Sequence, residues 1–262
     1  MADPKQEDEL AGTEQPFVAH LVELRDRLIK ALVAVGVVAA ALALYPGPGA
    51  LYDLLAAPLT ASLPQGATMI ATSVISPFMV PLKILLMAAF MIALPVVLYQ
   101  VWAFVAPGLY SHEKKLVMPL VLSSTLLFFL GVAFCYFFVF GQVFTFIQSF
   151  APKSITAAPD IEAYLSFVLS MFLAFGLAFE VPVAVVVLAR LGVVTIEKLK
   201  AFRSYFIVVA FIIAAIVTPP DVVSQLALAI PMILLYEAGI WAAQLFIKHT
   251  KAPDEEGAPS DA

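Results

Sequence analysis

Charged residues are scarce in this sequence, and their scarcity limits the classes of protein to which it can belong. Asp, Glu, Lys and Arg make up 13% of the 262 residues, whereas hydrophobic residues make up 63%. The mean hydropathy is +1.01, and a soluble domain of this length could not bury so much apolar surface. Most of the chain is therefore expected to lie in lipid.

Cysteine and the common catalytic motifs are also lacking. Cys135 is the only cysteine, so it cannot form an internal disulfide and is expected to be a small buried hydrophobe. The sequence contains no HExxH, GxSxG or P-loop pattern. Its three histidines are scattered near the ends of apolar runs, so neither a metal nor a cofactor is expected. The N-terminus is acidic, and no cleavable signal peptide is expected.

Six apolar runs are each expected to form a helix that crosses the membrane, because a hydrocarbon core of about 30 Å needs roughly 20 helical residues. The fifth run would extend only about 21 Å as a helix, so local thinning of the bilayer is expected there. The predicted fold is an all-α polytopic membrane protein whose last two helices are short. The predicted spans are about 28–46, 78–104, 119–148, 164–190, 204–217 and 223–246.

The basic residues predict which side each loop faces. Twelve of the 14 lysines and arginines flank the spans on one side, which predicts that both termini are cytoplasmic. The opposite loops contain only Lys153, and Lys83 lies just inside the second span, where its stem could snorkel outward. The predicted layout is a disordered acidic tail over 1–16, a membrane domain over 17–247 and a disordered cytoplasmic tail over 248–262.

The longest external loop is expected at about 47–77. Its stretch 51–63 is apolar enough to lie on the membrane surface as a short interfacial helix. An equally good interpretation is a loop that packs on the outer ends of the helices.

Glu180 is the most informative acidic residue, because it lies about two-thirds of the way along the fourth predicted span. An ionisable group at that depth is costly unless it is paired, hydrated or protonated, so a functional role is the default hypothesis. Pro182 removes one backbone hydrogen bond and is expected to bend the helix nearby. The structural alternative is a protonated glutamic acid bonded to a neighbouring helix. Glu237 is similar but lies closer to the inner interface, where water could solvate it.

Two more glutamates, Glu23 and Glu113, lie on the predicted cytoplasmic side. Glu23 belongs to an amphipathic stretch that leads into the first span, where it can form an i,i+4 ion pair with Arg27. Glu113 lies in a short loop, and either residue alone is typical of a solvated surface charge. Together, two carboxylates on one side can each bind a guanidinium through two hydrogen bonds, a geometry that lysine cannot reproduce.

Three polar residues surround the start of the sixth predicted span. Asp221 follows a Pro-Pro turn, and its expected role is to cap the free N–H groups of the helix. Thr218 and Gln225 offer hydrogen-bonding groups in an apolar setting, which a neighbouring helix could use.

Five stretches, in this order, resemble the TatC family, the receptor subunits of twin-arginine protein translocases. The resemblance extends from about residue 16 to residue 247. The pair Lys114 and Lys115 departs from the family pattern, which often has arginine there, but keeps the charge. The five stretches are residues 20–25, 64–72, 99–110, 179–183 and 218–221.

The resemblance implies a concave, cup-shaped helix bundle in the bacterial cytoplasmic (inner) membrane. It implies that Glu23 and Glu113 hold the paired arginines in the signal peptides of folded proteins. Arg25, Phe104 and Pro58 match further signal-peptide-binding positions of the family.

The resemblance also implies partners within the membrane. Glu180 matches a buried functional acid that faces the concave side. Thr218 and Gln225, with Asp221 beside them, match a patch where single-span TatA or TatB partners dock. A homo-oligomeric receptor complex that uses the proton-motive force is implied, with no nucleic-acid partner.

Three classes of function are weighed. The leading hypothesis is a receptor and organiser for protein export, a binding protein rather than an enzyme. The alternative is a proton-coupled small-solute transporter with Glu180 as its relay. An intramembrane enzyme is the third, although the sequence offers no recognisable nucleophile-and-base pair. Binding of twin-arginine peptides to the solubilised protein distinguishes the first hypothesis from the other two.

Overall fold

The structure is a computed structural model that describes the backbone of residues 4–62, 69–105, 117–149, 159–218 and 221–248. Side chains are described at 18–57, 69–104, 117–146, 149, 159–218 and 221–245. The regular structure in these ranges is entirely helical, apart from an isolated bridge between Ile70 and Asp160. The predicted all-α membrane protein is confirmed.

Ten α-helices and one π-helical segment lie in the described ranges. They are α1 (Pro4–Leu44), α2 (Pro48–Ser62), α3 (Ser76–Val105), α4 (Val117–Phe134), the π-helical segment (Cys135–Val139), α5 (Phe140–Ser149), α6 (Ile161–Phe179), α7 (Val181–Arg190), α8 (Ile196–Ala201), α9 (Arg203–Val217) and α10 (Val222–Lys248). Helix α1 includes residues 4–16, for which the sequence predicted a disordered tail. The residues after Lys248 lie outside the described part, so the disordered C-terminal tail remains a prediction.

Among the described residues, five segments are long and apolar enough to cross a membrane. They are Val18–Leu44, Ser76–Phe104, Val117–Phe146, Ile161–Arg190 and Val222–Leu245. The predicted fifth span is α9, an apolar helix of 15 residues. At about 1.5 Å per residue its length is about 22 Å, as the sequence predicted.

The prediction that the last helix is also short is wrong. Helix α10 has 27 residues, which corresponds to about 40 Å. Its apolar sequence meets no helix-breaking turn before Lys248, and Pro231 is accommodated inside the helix.

The turn after α1 lies where its prolines and glycines predicted it. Helix α1 ends at Leu44, and Gly47 follows with a φ of 87°, a conformation that glycine adopts without a steric penalty. The N–H of Gly47 donates to the carbonyl oxygen of Leu42 at 3.0 Å, which satisfies one of the last carbonyls of α1.

By contacts between Cα atoms the chain divides into two compact units. The first comprises residues 1–126 and 151–169, and the second comprises residues 127–150 and 170–262. Helices α4 and α6 each contribute residues to both units.

In the first unit, α1 and α2 both pack against α3. The buried residues Val80, Ile84 and Leu165 form a cluster that α2 covers with Leu51 and Leu55. The stretch 51–63 is therefore helical as far as Ser62 and packs on α3, and its position at the membrane surface remains a prediction.

A hydrogen-bonded latch connects the segment before α3 to the start of α6. Asp160 Oδ2 accepts hydrogen bonds from Thr72 Oγ1 at 2.6 Å and from the Thr72 N–H at 3.1 Å. Asp160 Oδ1 caps α6 by accepting from the N–H groups of Glu162 and Ala163 at 3.0 and 2.8 Å.

An ion pair lies next to this latch. Lys83 Nζ lies 2.8 Å from Glu162 Oε1, and Ser76 Oγ donates to Glu162 Oε2 at 2.7 Å. The Lys83 ammonium thus has a partner within the protein, whereas the sequence suggested only a stem that extends toward the interface.

Two glycines allow α4 and α6 to pack closely in the second unit. A Cβ added at Gly131 on α4 would overlap the carbonyl group of Phe175 on α6. One added at Gly176 would overlap the ring of Phe128, so each of the two helices presents a glycine to the other. Such close approach lets helices gain van der Waals contact in lipid, where the hydrophobic effect does not drive association.

The predicted third span is a single helical run with an irregular middle. Helix α4 continues directly into the π-helical segment and then into α5, with no turn residues between them. Cys135 lies in this segment and is fully buried, which confirms that it behaves as a small buried hydrophobe.

We predict that Gly131→Ala destabilises the protein by roughly 1–3 kcal/mol, because the added methyl group meets backbone atoms of α6 that cannot rotate away. The measurement is the denaturation midpoint of the purified protein in detergent. Gly141→Ala on α5 is the matched control, since a Cβ there has open space around it. Equal midpoints for the Gly131 variant and wild type would contradict the predicted packing.

We also predict that the Asp160 latch weakens in acid. The hydrogen bond from the Thr72 side chain, followed by those from the N–H groups of Ala163, Thr72 and Glu162, lowers the pKa of the Asp160 carboxyl. A depressed pKa stabilises the folded state above the unfolded-state pKa, and that contribution is lost as the pH falls through the folded pKa.

Hydrogen exchange at the Thr72 amide, corrected for its intrinsic rate, measures this effect. Protection is expected to be constant near neutral pH and to fall below about pH 4. Asp160→Asn is expected to show lower protection that no longer depends on pH. Constant wild-type protection down to about pH 2 would contradict the prediction.

Candidate functional site

Glu23 lies on α1 and is held by an arginine of its own helix. Arg27 Nη2 and Nε both donate to Glu23 Oε1, at 2.6 and 2.9 Å. The exposed fractions are 23% for the Arg27 side chain and 34% for that of Glu23. The i,i+4 pair predicted from the sequence is therefore present, and it uses one of the two carboxylate oxygens.

An aromatic stack lies beside this carboxylate and connects α1 to α3. The ring of His20 stacks on the ring of Phe104, with centroids 4.3 Å apart and planes inclined by 16°. His20 Nδ1 lies 3.9 Å from Glu23 Oε2. We call His20, Glu23, Arg27 and Phe104 the Glu23 corner.

The structure brings Glu23 and Phe104 together but directs Arg25 elsewhere. Arg25 donates from Nε and Nη2 to Asp26 Oδ1, at 3.0 and 2.9 Å, on an exposed face of α1. Glu113 lies outside the described residues, and so its place in the site remains a prediction.

Pro58 belongs to α2, and its side chain lies outside the described part. Helix α2 packs on α3 near Ile84, whereas the Glu23 corner contacts α3 at Phe104. Twenty residues of helix separate those positions, which corresponds to about 30 Å. A part for Pro58 in the signal-peptide site remains a prediction.

Glu180 lies at a break in the predicted fourth span. Helix α6 ends at Phe179 and α7 begins at Val181, and Pro182 cannot donate the backbone bond that would continue the helix. Both carboxylate oxygens of Glu180 are buried from solvent. The acid and the helix irregularity thus coincide, as the sequence indicated.

The polar residues near the start of α10 make contacts within the chain. Asp221 Oδ1 accepts a hydrogen bond from the Ser224 N–H at 2.7 Å, which confirms its capping role. Gln225 Nε2 donates to the carbonyl oxygen of Phe211 on α9 at 3.3 Å. The buried Thr218 donates from Oγ1 to the carbonyl oxygen of Ala214 at 2.8 Å.

Sequence analysis missed two features of the described residues that the structure reveals. His20 was set aside as a scattered histidine, although its i,i+3 spacing from Glu23 places both on one face of α1. Glu237, which was expected where water could solvate it, is partly exposed and also binds Arg203 at 2.7 Å. Tyr236 beside it donates to the carbonyl oxygen of Leu199 at 2.9 Å, so these two contacts join α8, α9 and α10.

None of the described side chains forms a group of three or more His, Cys, Asp or Glu that could hold a metal ion. The chemistry available at the Glu23 corner is therefore ion pairing, hydrogen bonding and stacking.

Comparison with known proteins identifies one family. The model of the Sec-independent protein translocase protein (TatC) family matches residues 19–231. The TatC protein of Halothiobacillus neapolitanus is 52% identical over 267 residues, which cover 100% of this chain and 71% of that protein. The TatC protein of Escherichia coli K12 is 48% identical over 233 residues, or 89% of this chain and 90% of that protein.

Solved structures give the same result. A crystal structure of the twin-arginine translocase receptor TatC superimposes with a TM-score of 0.73 at 43% sequence identity, covering 86% of this chain and 98% of that one. A second crystal structure of that receptor, in the detergent DDM, gives a TM-score of 0.75 at 42% identity.

Proposed function

The chain belongs to the TatC family of Sec-independent protein translocase proteins, and on this premise we propose that it is the core receptor of a twin-arginine translocase. In this role it binds the twin-arginine signal peptides of folded precursor proteins at its cytoplasmic face. It organises single-span TatA and TatB partners for export driven by the proton-motive force, and it acts as a binding protein rather than an enzyme.

The proposal includes a placement in the membrane. The protein lies in the bacterial inner membrane with six crossings and both termini in the cytoplasm, and it works as a homo-oligomer. The bias of twelve among 14 basic residues toward one side supports this orientation. Five apolar segments of spanning length and the short α9 support the number of crossings.

The observation that carries the proposal is the Glu23 corner. It presents a carboxylate beside two stacked rings at the junction of α1 and α3. A carboxylate binds a guanidinium by charge-assisted hydrogen bonds, each worth about 1.5–3 kcal/mol. With Glu113 as the second carboxylate, the same face would hold both arginines of the signal peptide.

We place partner docking in the second unit, where α9 ends and α10 begins. Thr218, Asp221 and Gln225 surround the turn between α9 and α10, and several large side chains of α9 are exposed there, such as Ile216 at 79%. A single-span helix could pack on this apolar surface and exchange hydrogen bonds with the polar groups.

Replacing both Glu23 and Glu113 with Ala is predicted to reduce the affinity for a twin-arginine peptide by at least tenfold, since each loss removes a charge-assisted contact. The measurement is fluorescence anisotropy of a labelled peptide with the protein in detergent. Glu197→Ala is the matched control, because it removes an exposed carboxylate from the N-terminal turn of α8. Unchanged affinity in the double variant would show that the proposed site is wrong.

Glu180→Gln is predicted to leave the unfolding midpoint within error of wild type and to reduce export of a folded reporter several-fold. The amide keeps the shape of the side chain but cannot ionise or carry a proton. Export is measured in cells that lack their own receptor, with Glu197→Gln as the control.

The same variant tests the alternative function. Normal export by Glu180→Gln would return Glu180 to a structural role. Proton-coupled uptake of a small solute by the protein reconstituted alone, lost in Glu180→Gln, would favour the transporter.

A further inference from the structure

We propose that His20 determines specificity at the Glu23 corner, where its ring receives the flat face of a signal-peptide guanidinium bound by Glu23. The proposal rests on the proposed function and adds to it a reason for the preference of arginine over lysine.

The first step concerns the two oxygens of Glu23. Both hydrogen bonds from Arg27 end on Oε1. No hydrogen bond in the described part of the chain ends on Oε2, whose neighbour His20 Nδ1 is 3.9 Å away, beyond hydrogen-bond distance. Oε2 is therefore the oxygen that an incoming donor meets, and Arg27 holds the carboxylate in place.

The second step concerns the ring of His20. One face lies against Phe104, with the planes only 16° from parallel, while 51% of the side chain remains exposed. Phe104 belongs to a different helix, so the imidazole is supported from behind by a second element. A ring that is already oriented loses little conformational entropy when a ligand stacks on its open face.

The third step is the chemistry of the ligand. A nitrogen that bonds Oε2 at about 2.8 Å brings its group within van der Waals reach of the imidazole, because Oε2 and Nδ1 are 3.9 Å apart. A guanidinium is planar and weakly hydrated, so it stacks on a flat ring while its edge bonds the carboxylate. A lysine ammonium is compact and strongly hydrated, and it gains little from the ring.

His20 could instead serve only to join α1 to α3 through Phe104. In that case its removal would lower the stability and weaken every peptide alike. The two roles therefore differ in the ratio of affinities for arginine and lysine peptides, which a purely structural role does not change.

The test compares a labelled twin-arginine peptide with its twin-lysine counterpart, using the full chain in detergent. His20→Leu is expected to weaken the arginine peptide about two- to fivefold and to leave the lysine peptide unchanged. His20→Phe keeps a flat ring and is expected to retain the wild-type ratio. His249→Leu, which removes a histidine beyond α10, is the control.

Two results would overturn the proposal. One is an unchanged affinity of His20→Leu for the arginine peptide, and the other is equal weakening of both peptides together with a lower unfolding midpoint. A failure of the proposed function gives a different pattern. In that case wild type binds both peptides alike and Glu23→Ala changes neither affinity, which also removes the basis for a role of His20.

Discussion

In the hydrocarbon of a bilayer a backbone N–H or C=O group has no water to bond, so it must find its hydrogen-bond partner within the protein. This requirement governs most of the structure. Helices satisfy it internally, so the apolar segments are helical over their whole length. The exceptions have local causes. Pro182 lacks the N–H that would continue α6 into α7, and the π-helical segment shifts the hydrogen-bond register within the third span. The interruption at Glu180 thus combines irregular backbone with an ionisable group at one position.

Charged groups also need partners, and three ion pairs of the described residues illustrate this. Lys83 with Glu162, and Arg203 with Glu237, join segments that are far apart in sequence. The pair of Glu23 with Arg27 lies within one helix. Because both bonds of this pair end on Oε1, a ligand can bind Oε2 without displacing Arg27 and without separating helices.

Local patterns predicted well those features that depend on local interactions. Hydropathy located the apolar helices, the Pro-Gly stretch ended α1, and the position of Asp221 predicted its cap. Contacts between distant residues were not accessible in this way. His20 meets Phe104 only because α1 packs on α3, and Lys83 meets Glu162 across 79 residues. The description of α10 as short was wrong, although its predicted bounds of about 223–246 already lay close to the observed Val222–Lys248.

The basic residues that predict the orientation also restrict how an arginine-rich peptide could be recognised. If the predicted cytoplasmic side carries twelve lysines and arginines, long-range electrostatics oppose the approach of a positive ligand to it. Salt at physiological strength screens that repulsion beyond about 8 Å, so affinity must come from contacts at shorter range. A carboxylate oriented by Arg27, with a supported ring beside its second oxygen, offers such contacts. These contacts depend on the shape of the guanidinium as well as on its charge.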